Sequence, residues 1–360
     1  MDPVACRCRR SRSGALREWR RTLTGETQFH DFIQWQFCRQ WLALKAYANA
    51  RGVRIIGDVP IFVAHDSADV WANRQLFQLK EDGEPGLVAG VPPDYFSAAG
   101  QRWGNPLYDW PAAAATGYAW WIQRLEQGLK LFDLVRLDHF RGFAAYWEIP
   151  AENETAAGGR WVPGPGAALF TALQARLGEL PFIAEDLGVI TPDVDALRDQ
   201  FALPGMRVLQ FAFGDDPKAF DYRPHNYVPN CAVYTGTHDN DTTVGWFRSE
   251  VGAGTTRTAE QIAREREFAL RYLRSDGREI HWDMIRLALA SVARLAVFPM
   301  QDVLGLGTEA RMNLPSTSRG NWRWRMRPGQ FTPQHEARLR ALAATFDRDL
   351  YPQAQRESRA

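Results

Sequence analysis

The chain has 360 residues, 45% apolar and 24% charged, with a formal net charge of +1. It is long enough to bury a large core and too long for most single compact domains other than an α/β barrel. The near-zero balance supplies no field to draw in nucleic acid or an anionic membrane, and no apolar run reaches the length of a membrane span.

Residues 1–26, from Cys6-Arg-Cys8-Arg-Arg through Arg20-Arg21, are basic and poor in acids. They read as a solvated, unordered start, without the apolar h-region of a signal peptide. The cysteines Cys6, Cys8, Cys38 and Cys231 show neither metal-ligand nor disulfide spacing. A reducing cytoplasmic compartment and no bound metal follow as expectations.

Gln28 to Ala50 reads as one helix, because Phe29, Phe32, Ile33, Phe37, Trp41, Leu44 and Tyr47 recur at three- and four-residue steps. Gly52 ends it, and a buried strand over 53–63 follows and delivers Asp58. Residues 64–118 carry Gly, Pro, Asp and Asn clusters with many aromatics. An irregular stretch of that length in a compact domain is functional or disordered, and its apolar content argues against disorder. It is expected as an ordered insertion over the mouth of a barrel.

Trp120 to Lys130 predicts a helix leading into a strand over 132–138. A Gly/Pro-rich loop over 151–165 precedes a helix from Ala167 to Leu177 and a strand over 181–185. Thr191 and Pro192 open another helix as N-cap and first helical residue. Strands at 206–213, 231–237 and 295–301 follow, with helices over 258–274, 280–294 and 336–346. Six candidate strands fall short of the eight that close a (β/α)8 barrel.

Three of these strands share a signature. Phe132-Asp-Leu-Val-Arg-Leu-Asp138, Pro181-Phe-Ile-Ala-Glu185 and Val233-Tyr-Thr-Gly-Thr-His238-Asp239 are apolar, β-prone runs ending in a carboxylate. Strands buried on both faces read this way, and their C-terminal ends line a barrel's mouth. From Asp138 to Glu185 is 47 residues and from Glu185 to Asp239 is 54. At roughly 30 residues per strand–helix unit, one further strand fits in the second interval. Carboxylates gathered on one rim are the apparatus of glycosidic-bond chemistry. Fourteen Trp, twenty Phe and ten Tyr supply flat rings suited to sugar faces, though most aromatics serve the core.

The segments Gly57-Asp58-Val-Pro-Ile-Phe-Val, Asp66-Ser-Ala-Asp-Val-Trp71, Gly90-Val-Pro-Pro-Asp-Tyr-Phe-Ser97 and Gly100-Gln-Arg-Trp-Gly-Asn-Pro-Leu-Tyr108 form a set. Arg136-Leu-Asp138-His-Phe-Arg-Gly142, Ala184-Glu185-Asp-Leu-Gly188, Thr237-His-Asp239-Asn, Arg311-Met-Asn-Leu-Pro315 and Gly320-Asn-Trp-Arg-Trp324 complete it. From about residue 27 onward the chain resembles the 4-α-glucanotransferases, or amylomaltases, of glycoside hydrolase family 77. The resemblance implies a TIM (β/α)8-type barrel with loop insertions over the C-terminal rim, occupying 27–360, with the first two strands missing from this chain. Residues 64–118 correspond to an inserted active-site flap. It implies transfer of α-1,4-glucan segments between maltodextrins by a retaining double displacement, with maltodextrins and glucose as partners and no cofactor. An α-amylase-type hydrolase and an inactive remnant are the competing readings, and the oligomeric state is left open.

By the same resemblance, Asp138 is the nucleophile, Glu185 the general acid and base, and Asp239 the holder of the 2- and 3-hydroxyls of the reacting sugar. His238 assists Asp239. Arg136, two residues before Asp138 on the same strand face, presents a permanent positive charge to it, and Asp58 organises Arg136. Tyr95, Phe96, Gln101, Trp103 and Asn105 of the flap, and Asn313, are expected to bind substrate.

Overall fold

The computed structural model describes residues 13–93, 99–252, 257–315, 317 and 319–349. The chain divides into two compact units, before and after the Pro204–Gly205 bond.

The first unit contains β1 (Ile56–Pro60), β2 (Leu87–Val91), β3 (Gln101–Pro106), β4 (Leu134–Asp138), β5 (Ala145–Pro150), β6 (Arg160–Pro163) and β7 (Phe182–Ala184). β1, β4 and β7 pair in parallel, in that order. The register sets Asp58 beside Arg136, Pro60 beside Asp138 and Leu137 beside Ala184. Val135, Leu137 and all of β7 are buried, as expected of a strand covered on both faces. The helices Ala119–Leu131 and Gly166–Leu177 supply Trp121, Leu125, Leu169 and Phe170 to a core shared with Tyr108, Phe140, Phe143 and Phe182. Trp121 stands edge-on to Phe143, and Phe143 edge-on to Phe170.

The stretch 64–118, expected as irregular, holds regular structure. Ser67 caps a helix over Ala68–Ala72, and Asp109 caps another over Trp110–Ala115. Its strands β2 and β3 join β5 and β6 in an antiparallel sheet of order β3–β2–β5–β6. The loop expected over 151–165 therefore contains β6. These strands were illegible because β3, Gln-Arg-Trp-Gly-Asn-Pro, has no apolar alternation, and β2 is a five-residue run broken by Gly90.

Residues 13–26, expected as unordered, are helical: Ser13–Thr22 is one helix and Thr24–Asn49 the next. The apolar positions of the second helix do not form a core. Phe29, Phe32, Ile33, Phe37, Leu44 and Tyr47 are all exposed. Contact is made along the face bearing Trp41 and Lys45. Trp41 Nε1 donates to Leu131 O at 2.8 Å, and Lys45 Nζ donates to the carbonyls of Leu129, Lys130 and Phe132. A cation on the last carbonyls of the helix Ala119–Leu131 satisfies groups that have no partner within that helix.

The second unit contains β8 (Gly205–Val208), β9 (Cys231–Tyr234) and β10 (Leu295–Val297), parallel in the order β8–β9–β10. A helix over Ala259–Leu273, with a Thr258/Gln261 capping box, and another over Ile280–Ala290 pack on Leu209, Phe213, Val233 and Trp246. The expected strand to 213 stops at Val208, where Leu209–Phe211 turns as a 3-10 helix. The expected strand to 301 stops at Val297, before a short helix over Met300–Val303. The helix expected to Arg294 ends at Ala290, where Ser291 goes extended and bonds back to Ala288 O. Thr191 does precede the helix Pro192–Gln200, but its hydroxyl donates to Asp193 and accepts from Arg141 instead of capping.

Gly57 fixes how β1 seats. A Cβ there would stand 2.1 to 2.5 Å from ring atoms of Phe132, the residue that leads into β4. Gly57→Ala is expected to destabilise the fold by about 1–3 kcal/mol. It should lower the thermal midpoint without changing the cooperativity of the transition; a midpoint equal to the parent's would show that the ring is free to move.

Candidate active site

In the first unit, three carboxylates surround one guanidinium. Arg136 Nη1 donates to both oxygens of Asp58 at 2.9 and 2.8 Å, and its Nη2 donates to Asp138 Oδ1 at 2.7 Å. Pairing of β1 with β4 makes this possible, because it brings the two strand ends side by side. Arg136 is only 8% exposed. Burial pulls its pKa down, but Asp138, Asp58 and Glu185 together outweigh burial and the net shift is upward.

Glu185 follows β7 and is held by backbone. His139 N–H donates to its Oε2 at 2.7 Å and Leu187 N–H to its Oε1 at 3.1 Å. Its own amide donates to Leu137 O, and its carbonyl accepts from Phe140 N–H. Burial and then the charge of Asp138 push the Glu185 carboxyl up to about 8, against the opposing pull of Arg136 and the His139 N–H. A half-buried carboxyl that keeps its proton at neutral pH is a proton donor in waiting.

His139, missed by the sequence reading, turns the chain off β4 with φ 54°, in the left-handed region where His is among the better-tolerated residues. Burial and then Arg141 hold its pKa down at about 4, so the imidazole is neutral. Its ring meets Trp103 edge-on at 4.8 Å.

Trp103 and Asn105 on β3 line a cavity of about 520 Å³ together with Phe62, Asp138 and His139. Ser67 and Asp69 are further polar lining groups. Asn105 Nδ2 donates to Val63 O, and Trp103 Nε1 to Gln101 Oε1 at 3.2 Å. Gln101 therefore orients the indole from outside the cavity. Tyr95 and Phe96 lie outside the described residues.

The second unit carries its own cluster after β9. Asn313 Nδ2 donates to Asp239 Oδ1 at 2.6 Å, Arg311 Nη2 donates to Asp239 O at 2.6 Å, and His238 Nε2 lies 3.4 Å from Asp239 Oδ2. Asn313 N–H donates to His238 O. Trp322, also missed, places its ring 5.1 Å from that of His238. Both Arg311 and Trp322 stand in the motifs quoted above, which is the signal that could have marked them. Among the described residues, no group of His, Cys, Asp and Glu is arranged to hold a metal ion. No helix among them is long and apolar enough to cross a membrane.

Residues 5–332 match the family described as 4-alpha-glucanotransferase. The chain is 56% identical to a 4-alpha-glucanotransferase of Thermus thermophilus, over 94% of this chain and 67% of that one. It is 51% identical to one of Synechocystis, over 94% of this chain and 65% of that one. Its structure matches amylomaltase from Streptococcus agalactiae, solved in complex with acarbose, with a TM-score of 0.89 at 39% identity, over 97% of this chain and 68% of that one. The chain thus spans about two thirds of the length of the relatives it matches. It belongs to the 4-alpha-glucanotransferase family, and it has the barrel-type α/β fold expected from the sequence.

The raised Glu185 has a consequence for stability that requires no substrate. Below the unfolded-state pKa near 4.5 the side chain is protonated in both states and costs nothing. As pH rises toward about 8, the unfolded chain ionises while the folded one retains its proton, so folding loses ground progressively. Glu185→Gln abolishes this dependence. The variant's thermal midpoint should rise relative to the parent's between pH 4.5 and 8 and stay level with it below pH 4; a gap independent of pH would refute the shift.

Proposed function

We propose that this chain transfers α-1,4-glucan segments from one maltodextrin to another by a double displacement that retains configuration. The observation carrying this reading is Asp138, held against Arg136 at the end of β4, beside Glu185, held by two backbone N–H groups after β7, with burial and the charge of Asp138 favouring a retained proton on Glu185. Retaining glycosidic chemistry asks for those two states in neighbouring carboxyls.

In the first step an Asp138 oxygen attacks the anomeric carbon of the donor. The bond from that carbon to the departing O4 breaks, and Glu185 gives its proton to O4. The product is a glucosyl ester of Asp138. In the second step the 4-hydroxyl of an acceptor glucan attacks the same carbon, Glu185 takes the hydroxyl proton, and the ester bond to Asp138 breaks. The two steps share one charge logic. While Asp138 is unesterified its negative charge helps hold the proton on Glu185. Once Asp138 is esterified that charge is gone, and the ionised Glu185 is less opposed, which suits a base.

Asp239 takes the role of holding the reacting sugar's hydroxyls, with His238 and Asn313 beside it. The cavity lined by Trp103 and Asn105 takes a sugar of the acceptor, with the indole face as its platform. Maltodextrins and glucose are then donor, acceptor and product. Cys38 and Cys231 are not in disulfides, which accords with a reducing, cytoplasmic setting.

Incubation with maltotriose and separation of the products by size tests the reading. Glucose together with chains longer than maltotriose is expected. Asp138→Asn should lower the turnover by about 10³-fold or more, since one member of a catalytic unit accounts for most of its effect. Glucose and maltose without longer chains would point to hydrolysis, and an inert parent chain would sink the proposal.

Trp103 decides between acceptor and water. Trp103→Ala should raise the ratio of hydrolysis to transfer several-fold, with total consumption of maltotriose changed less, because an acceptor loses its platform while water needs none. An unchanged ratio, read from reducing ends against chain-length distribution, removes Trp103 from this role.

A further inference from the structure

A fourth carboxylate follows a strand in the second unit, and the mechanism above does not use it. Asp302, in the short helix after β10, is fully buried. Its Oδ2 accepts from Thr235 Oγ1 at 2.6 Å and from Thr243 Oγ1 at 2.7 Å, and its Oδ1 accepts from Thr243 N–H at 2.7 Å. Thr235 directly follows β9, and Thr243 opens the helix Thr243–Arg248. Both are themselves fully buried. Asp302 therefore closes a loop at its two feet, and that loop carries His238 and Asp239.

The rest of the loop is tied within itself and by Gln210 from the turn after β8. Asn240 Oδ1 accepts from Thr237 N–H and Thr237 Oγ1, and Gln210 Nε2 donates to Asp241 O. Neighbouring Gln301, also buried, donates from Nε2 to Ala310 O at 3.1 Å, immediately before Arg311 and Asn313. Two adjacent residues on one short helix thus tie down both segments that meet at Asp239. Burying a carboxylate is costly unless its oxygens are satisfied. Burial does push the Asp302 carboxyl up, against the Thr235 and Thr243 donors. An apolar residue would fill the space without that cost, so the group's use lies in fixing its three donors.

We propose that Asp302 is a positioning residue for the glucan-transfer reaction: it clamps Thr235 to Thr243 so that the loop between them presents Asp239 in the one orientation that binds the reacting sugar. The proposal rests on the role given to Asp239 above. A misplacement of the order of an ångström at a residue that holds the reacting sugar costs about 10²-fold in rate. In Asp302→Asn the amide keeps the shape but meets donors on one side with a donor of its own.

The test is a double-mutant cycle on maltotriose disproportionation with Asp302→Asn, Asp239→Asn and the pair. Asp302→Asn is expected to lower kcat roughly 10- to 100-fold with KM changed much less. The pair should be no slower than Asp239→Asn alone, because Asp302 acts only through Asp239. A purely structural role would lower the thermal midpoint and multiply with Asp239→Asn. Retention of kcat within twofold, or losses that multiply, overturns the proposal.

If Asp302→Asn does not fold, Thr235→Val removes one of the three donors at constant shape and enters the same cycle with the same expectations. Hydrogen exchange of the 236–242 amides provides a readout independent of turnover. Asp302→Asn should speed their exchange at least tenfold and leave the β8 and β9 amides unchanged, whereas equal protection in the loop overturns the clamp. An inert parent chain with a loosened loop would sink the glucan-transfer reading and leave the clamp standing.

Discussion

The contact between Arg136 and its carboxylates constrains everything around it. A guanidinium almost fully withdrawn from water must have its donors met, and Asp58 and Asp138 meet them from adjacent strand ends. That requirement fixes the register of β1 against β4, because a slip of one residue would turn Asp58 to the other face. It also leaves Glu185 in a neighbourhood already holding two negative charges and one positive. Burial first, and then the charge of Asp138, make the protonated form the cheaper one for Glu185, and its pKa rises against the pull of Arg136. Burial and the charge of Asp138 thus set apart two chemically alike groups, one ion-paired with Arg136 and one that favours its proton.

The same sorting by environment distinguishes the carboxylates of the second unit. Asp239 is 43% exposed in its side chain and spends one oxygen on Asn313, leaving the rest of its acceptor capacity for a ligand. Asp302 has no exposure and both oxygens occupied by chain donors. Exposure and unspent acceptors mark a group that binds something else; full burial and full satisfaction mark one that holds its own chain. Asp186, beside Glu185, falls with the second kind, buried and paired with Arg198 at 2.6 Å.

Strands such as β7 and β9 were legible because each is a short apolar run, and burial on both faces leaves no other composition available. Their carboxylate ends were legible for the same reason, since a charge interrupts the run where the strand meets solvent. Asp302 follows Leu295-Ala-Val-Phe-Pro-Met-Gln and obeys that rule, yet the rule cannot say which carboxylate is buried. The antiparallel strands could not be read, because β3 is polar, partly exposed and shaped by its pairing with β2. The helix Thr24–Asn49 shows the opposite failure. Its periodicity is correct and its boundary shifts by a few residues, but periodicity predicts a helix without showing that its apolar face is covered. His139 stands in a quoted motif, but its backbone N–H, delivered to Glu185 by a left-handed turn, is not something a side-chain pattern encodes.

Whether such a site transfers or hydrolyses depends on the second step alone, since both outcomes pass through the same ester. Water has access to any half-exposed carbon, so transfer needs an acceptor held at an effective concentration that water cannot match; well-oriented groups reach about 10⁵ M and above. That orientation must come from rigid parts. Trp103 is suited to it: the residue sits on a paired strand, its indole N–H is tied to Gln101, and its ring is braced by the half-buried, neutral His139. A charged imidazole there would draw in water, whereas a neutral one leaves an apolar wall beside Asp138. In the proposed reaction the turn at His139 bears twice on the second step: its N–H favours the ionised Glu185 that would act as base, and its ring supports the surface on which the acceptor would rest.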